Sequence, residues 1–127
     1  MKIRTTHNSI RYRLRKSELE VLKTDGHVVE SVSFPNNREL KSALHISDKI
    51  KSCEVSFDGQ SIKISLPAEL AYQWISTNEV SIERAIALAD GAQLHILIEK
   101  DFPCLDRSNE DKSDTFWELA DKAADSC

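Results

Sequence analysis

The sequence predicts an α+β domain: an antiparallel sheet or an eight-stranded, barrel-like fold made of two ββαββ halves, followed by a C-terminal helix. Three observations carry this. Apolar and polar residues alternate with period two through most of the first 100 residues, as in strands with one buried and one solvated face. Turn-forming residues at Asn8, Asn36, Asp58-Gly59 and Asp90-Gly91 cut the alternation into hairpins. Between hairpins, two short stretches change to helical spacing.

Residues 2–6 and 9–15 read as strands joined through Thr6-His7-Asn8. Ser17 starts a helix, because Ser17 and Glu20 match the S-x-x-E capping box. Leu19 and Leu22 face the core, and Gly26 ends the helix by accepting a left-handed conformation. Strands at 28–34 and 39–46 flank a turn at Pro35-Asn36-Asn37, and strands at 51–57 and 60–66 flank Asp58-Gly59. Pro67 suits the first turn of a second helix, where its missing N–H is no loss. That helix puts Leu70, Ala71, Trp74 and Ile75 on one face. Strands at about 79–88 and 93–99 complete the second half.

The halves, about 1–47 and 51–100, share local sequence. "SIRYRLRKSEL" set against "SIKISLPAEL" aligns Ser9 with Ser61, Ile10 with Ile62, Arg11 with Lys63 and Leu14 with Leu66. After a one-residue gap, Glu18 aligns with Glu69 and Leu19 with Leu70. An internal duplication over residues 1–100 is therefore expected. Residues 101–127 form an acidic linker and a terminal helix, with Thr115 and Glu118 as a second capping box.

The chain of 127 residues has a net charge of −4 and no apolar run of membrane-spanning length. Its start lacks the apolar region of a signal peptide. Cys53, Cys104 and Cys127 are odd in number and widely spaced, which fits a reduced cytoplasmic protein better than a disulfide framework. No C-x-x-C pair suggests zinc, Cys53 reads as a small core residue, and neither a metal nor an organic cofactor is expected.

Charge is the main clue to a site. Residues 1–16 carry six bases and no acid, whereas residues 99–127 carry nine acids and four bases. Arg11, Arg13 and Arg15 alternate with Ile10, Tyr12 and Leu14, so the guanidinium groups share one face of a strand. Neighbouring charges about 6.5–7 Å apart repel by roughly 0.6 kcal/mol in water and about 2.4 kcal/mol at an effective dielectric of 20. A solvated row needs no partner; a row lining a concave surface needs carboxylates or a bound anion. Lys2, Arg4, Arg11, Arg13, Arg15 and Lys63 are the candidate anion-binding set. A more particular expectation is that the acidic stretch 106–125 folds back over the arginine row.

The two ends together resemble an uncharacterised bacterial family of small cytoplasmic proteins. "MKIRTTHNSIRYRLRKSE" is similar to its Lys-Ile-Arg…Asn-Ser-Ile-Arg opening. "LHILIEKDFPCLDRSNEDKSDTF" is similar to its Glu-Lys-Asp-Phe, Cys-Leu and Ser-Asp-Thr-Phe close. The resemblance covers about the whole chain and implies no activity, substrate or site residue. The chain departs from it in having His7 where a glycine would suit the turn, and in a helix beyond Phe116.

Other constellations carry less. A pI of about 5.6 and the lack of interleaved aromatics disfavour nucleic acid. Triphosphate-handling barrels are similar in outline, but their Glu-x-Glu-x-Lys strand is missing, so the likeness is one of fold alone. Asp101, Cys104, Asp106, Asp111 and Asp114 lack the ordered spacing and glycine of a calcium loop. His45 and His95 hold comparable places in the two halves and could meet; Cys104 has only Lys100 nearby to favour its thiolate. Two function classes follow. One is an interaction module without catalysis, acting as a homodimer or on a protein partner. The other is an anion-, phosphate- or nucleotide-binding protein with hydrolysis as an option; neither involves a membrane.

Overall fold

A computed structural model describes residues 1–102 and Phe116. The elements are β1 (Lys2–Thr6), β2 (Ser9–Leu14), α1 (Lys16–Asp25), β3 (His27–Phe34), β4 (Arg38–Ser47), β5 (Glu54–Phe57), β6 (Ser61–Pro67), α2 (Ala68–Ser76), β7 (Ser81–Ala87) and β8 (Gln93–Lys100). The class is α+β. The expected linker, terminal helix and tail docking lie outside the described residues.

The strands form two four-stranded sheets, ordered β1-β2-β8-β7 and β3-β4-β6-β5. Each is mixed rather than antiparallel. Two hairpins meet through a central parallel pair, β2 with β8 in one sheet and β4 with β6 in the other. Neither sheet closes, so the barrel expectation is corrected: β1, β7, β3 and β5 are edges with a ladder partner on one side only. The strand alternation is satisfied by packing two inner faces on each other. Tyr12, Leu14, Ile96 and Ile98 come from the first sheet, and Leu44, Ile64 and Leu66 from the second; all are at most 1% exposed. Burying each such side chain contributes roughly 1.5–3 kcal/mol. Tyr12 spans the layers, its hydroxyl 3.5 Å from the Ile62 carbonyl oxygen. Burial pushes the pKa of that hydroxyl up to about 12, against the opposing effect of hydrogen bonds from the Ser42 side chain and the Ala43 backbone.

Each half of the chain contributes one hairpin to each sheet, with its helix as the crossing. Exchanging β1–β4 for β5–β8 converts one strand order into the other, and the registers agree. The row Ile3, Tyr12, Ile98, Ile82 in the first sheet corresponds to Val55, Ile64, Leu44, Val28 in the second.

Local chemistry explains the connections, with three corrections. His7 and Asn8 both have positive φ (47° and 59°), as do Asn36 and Asn37 (65° and 57°), the requirement of a two-residue type I′ turn. Helix α1 begins one residue before Ser17, after an N-cap at Arg15. Glu18, not Glu20, completes the turn by accepting from the Arg15 backbone N–H at 2.9 Å. Arginine offers no acceptor, so this is half of a capping box. Pro67 stands just outside α2 as its N-cap, because it still belongs to β6, paired with Ser47. Cys53 is half-buried, since β5 begins only at Glu54 and leaves 51–53 as a rim. Leu22, Ala71 and Trp74 close the helical end of the core; the Trp74 indole N–H donates to the Val80 carbonyl at 3.1 Å.

Candidate functional site

The outer face of the first sheet holds four of the six candidate cations. Because β1, β2, β8 and β7 are in register, Lys2, Arg13, Glu99 and Ser81 form one cross-strand row and Arg4, Arg11, Leu97 and Glu83 the next. The alternation thus turns these arginines outward and Tyr12 and Leu14 inward. Arg15 and Lys63 are not brought to this face. Arg15 lies past the end of β2, exposed, with its Nε 3.3 Å from Glu18. Lys63 belongs to β6 in the other sheet.

The row is neutralised from within. Glu99, which is 6% exposed, places Oε1 2.5 Å from Arg11 Nη2 and 2.9 Å from Arg13 Nε. The Arg13 contact is electrostatic rather than directed, because Nε makes no hydrogen bond of acceptable geometry. Arg13 also lies 3.4 Å from Asp101, donates to the Phe102 carbonyl at 3.3 Å and stands 5.0 Å over the Phe102 ring. Lys2 reaches Asp101 at 3.2 Å. The Asp101 N–H donates to the Leu14 carbonyl at 2.7 Å, which pins this acidic segment along β2. The two quoted sequence ends therefore meet here: Glu99-Lys100-Asp101-Phe102 is the counter-charge of the basic opening. Arg4 makes no ion pair among the described residues, although it stands opposite Arg11. The hollow bounded by Lys2, Ile3, Arg4, Arg11 and Arg13 measures about 140 Å³. That accommodates an inorganic anion and is below the usual range for larger ligands.

Two further places escaped the sequence reading. On the outer face of the second sheet, His27 and His45 are cross-strand partners with rings stacked 5.5 Å apart. His95 is in the other sheet, so the expected His45–His95 meeting does not occur. Burial, then Lys63 and His27, hold the His45 imidazole below its ordinary value. The second place is a cleft of about 510 Å³ beside the start of α2, with Cys53, Glu69 and Arg84 in its wall. Burial pushes the Cys53 thiol up, against the opposing effect of Arg84. The available signal was the single charge of Arg84 among Ile82 and Ile86 in the inward register of β7. Among the described residues, no group of three or more His, Cys, Asp and Glu could hold a metal ion, and no helix is long and apolar enough to cross a membrane.

Fold and face together define a small α+β domain of two mixed sheets with a self-neutralised basic face. The chain belongs to the family of unknown function DUF7009, whose family model matches residues 1–119. No curated protein and no solved structure matches it.

Proposed function

We propose that this chain is an interaction module that pairs with a second copy of itself through the hairpin end of the second sheet. One observation carries the proposal. Val32 and Phe34 on β3 are each 50% exposed and Phe57 on β5 is 65% exposed, although their register is that of the core-facing residues Val28 and Val55. Leu40 and Ile62, between them, are only partly buried. Apolar side chains left uncovered beside an open sheet edge favour association.

The β3 edge suits its own copy. An antiparallel β3–β3 pair centred on Ser31 sets Glu30 opposite Val32 and Val28 opposite Phe34, with no like charges facing. Such a pair is isologous and closes as a dimer. Sedimentation equilibrium tests it: a concentration-dependent dimer is expected, and Phe34→Glu and Phe57→Glu should shift it to monomer. A wild-type chain that stays monomeric at high micromolar concentration overturns the proposal; stable association of such a monomer with a different protein would identify another occupant.

A second reading keeps the basic face, on the observation that Arg4, opposite Arg11, itself makes no ion pair among the described residues. Arg4 and Arg11, with Lys2 and Arg13 beside them, would take a phosphate-sized anion. Pyrophosphate should then raise the melting temperature, and Arg4→Ala/Arg11→Ala should abolish the rise; equal response in both proteins rejects it.

The matching registers of the two sheets support descent from a duplicated ββαββ unit. The cysteine pattern supports a reducing, cytoplasmic setting, and the resemblance of the two ends supports a bacterial origin.

A further inference from the structure

The sheet exchange creates two corners that correspond to each other, and they are filled differently. In the first, the residue before β1, Met1, turns its amino group to Glu18 of α1 and Glu30 of β3. The registers that pair Ile3 with Tyr12 and Val28 with Leu44 recur as Val55 with Ile64 and Ile82 with Ile98. They carry Met1 to Cys53 and Glu30 to Arg84, while the local sequence match carries Glu18 to Glu69. The first corner is therefore an amine held by two carboxylates. The second keeps one carboxylate, replaces the other by a guanidinium, and has the Cys53 peptide N–H in place of the free amine, with the Cys53 thiol in place of the Met1 side chain. What remains is the cleft of about 510 Å³, lined by Arg84, Lys51 and Glu69 with the apolar flanks of Leu70 and Ile86. Its size lies within the range of small-ligand sites.

We infer that this cleft binds a small organic carboxylate, with Arg84 and Lys51 receiving the carboxylate and Leu70 and Ile86 packing on its apolar body. Arg84 and Lys51 make no ion pair among the described residues, so the cleft carries two cations for the one acid of Glu69. Guanidinium meets carboxylate through paired, charge-assisted hydrogen bonds, which fixes orientation as well as affinity. An inward-facing charge on an edge strand also has a simpler use, that of blocking edge-to-edge pairing. The two roles differ in what Arg84 requires: a guard needs only solvent, whereas a binding group needs an anion.

Titration of the full chain with 4-methylpentanoate, followed by ¹H–¹⁵N correlation spectra, separates them. Saturable shifts are expected for amides in 51–53, 69–73 and 84–86. Affinity should fall about tenfold or more in Arg84→Gln and for the uncharged 4-methylpentanamide, while Arg84→Lys keeps part of it. Absence of saturable shifts, equal response to acid and amide, or undiminished binding in Arg84→Gln overturns the assignment. So does an Arg84→Gln chain that self-associates while the wild type ignores the carboxylate, the mark of an edge guard. The outcome is independent of the proposed dimerisation, because none of Val32, Phe34 and Phe57 lines this cleft.

Discussion

Arg13 and Glu99 are register partners in the central parallel pair of the first sheet, with Arg13 Nε 2.9 Å from Glu99 Oε1. The residues come from opposite ends of the described chain, and the same carboxylate serves Arg11. A row of like charges on one strand is thereby compensated by the strand beside it.

Glu99→Gln removes that shared charge and leaves two guanidinium groups side by side on a partly buried face, with Asp101 still beside Arg13. Loss of one partner of a buried ion pair costs about 3–5 kcal/mol. The Arg11 side chain is 24% exposed and recovers some hydration, so a loss of about 2 kcal/mol is expected. Urea unfolding of the variant checks it, and Arg11→Met in the same background should return part of the loss.

Trp74 fills the helical end of the core at 0% exposure and donates its indole N–H to Val80. Trp74→Phe should cost about 1–3 kcal/mol, mainly from the unpaired carbonyl and the lost ring volume. Trp74→Ala should cost about 3–5 kcal/mol. Thermal unfolding distinguishes the two.

Stability should fall with acidification in two steps. Burial, Lys63 and His27 depress the folded His45 value below its ordinary 6.5. Below that pH the unfolded chain binds more protons than the folded one, so the stabilisation present above 6.5 is lost as pH falls. Burial alone would raise the Glu18 carboxyl, but the Met1 amino group and Arg15 hold it below its ordinary 4.5. Its contribution is present above that value and disappears in stronger acid. Stability measured from pH 7 to 3 should show both steps, and His45→Asn should remove the upper one.

His7 occupies a left-handed position with φ 47°. His7→Val should lower stability by about 1–2 kcal/mol, since a β-branched residue is strained there. His7→Gly should be neutral or stabilising. Equilibrium denaturation of the pair is the measurement.

Much of the local structure follows from residue order alone. Side chains two apart on a strand share a face, so alternation at Ile10, Tyr12 and Leu14 already separates core from arginines. Asn8, Asn36-Asn37 and Gly59 mark turns because few other residues accept positive φ. The α1 cap was misplaced by two residues because Glu18 can serve the Arg15 N–H as readily as Glu20 could serve Ser17.

Which hairpin lies beside which was decided only in three dimensions. The β1–β2 hairpin could pair with any of three others at equal cost to its alternation, because period two defines a face and not a neighbour. Packing of the two inner faces around Tyr12 selects the β7–β8 hairpin, and with it the parallel registers. Those registers bring Glu99 to the arginines, leave Lys63 on the other sheet, stack His27 on His45 and open the corner at Arg84. Each of these depends on contacts far apart in the chain, where the free energy of packing, not local preference, determines the partner.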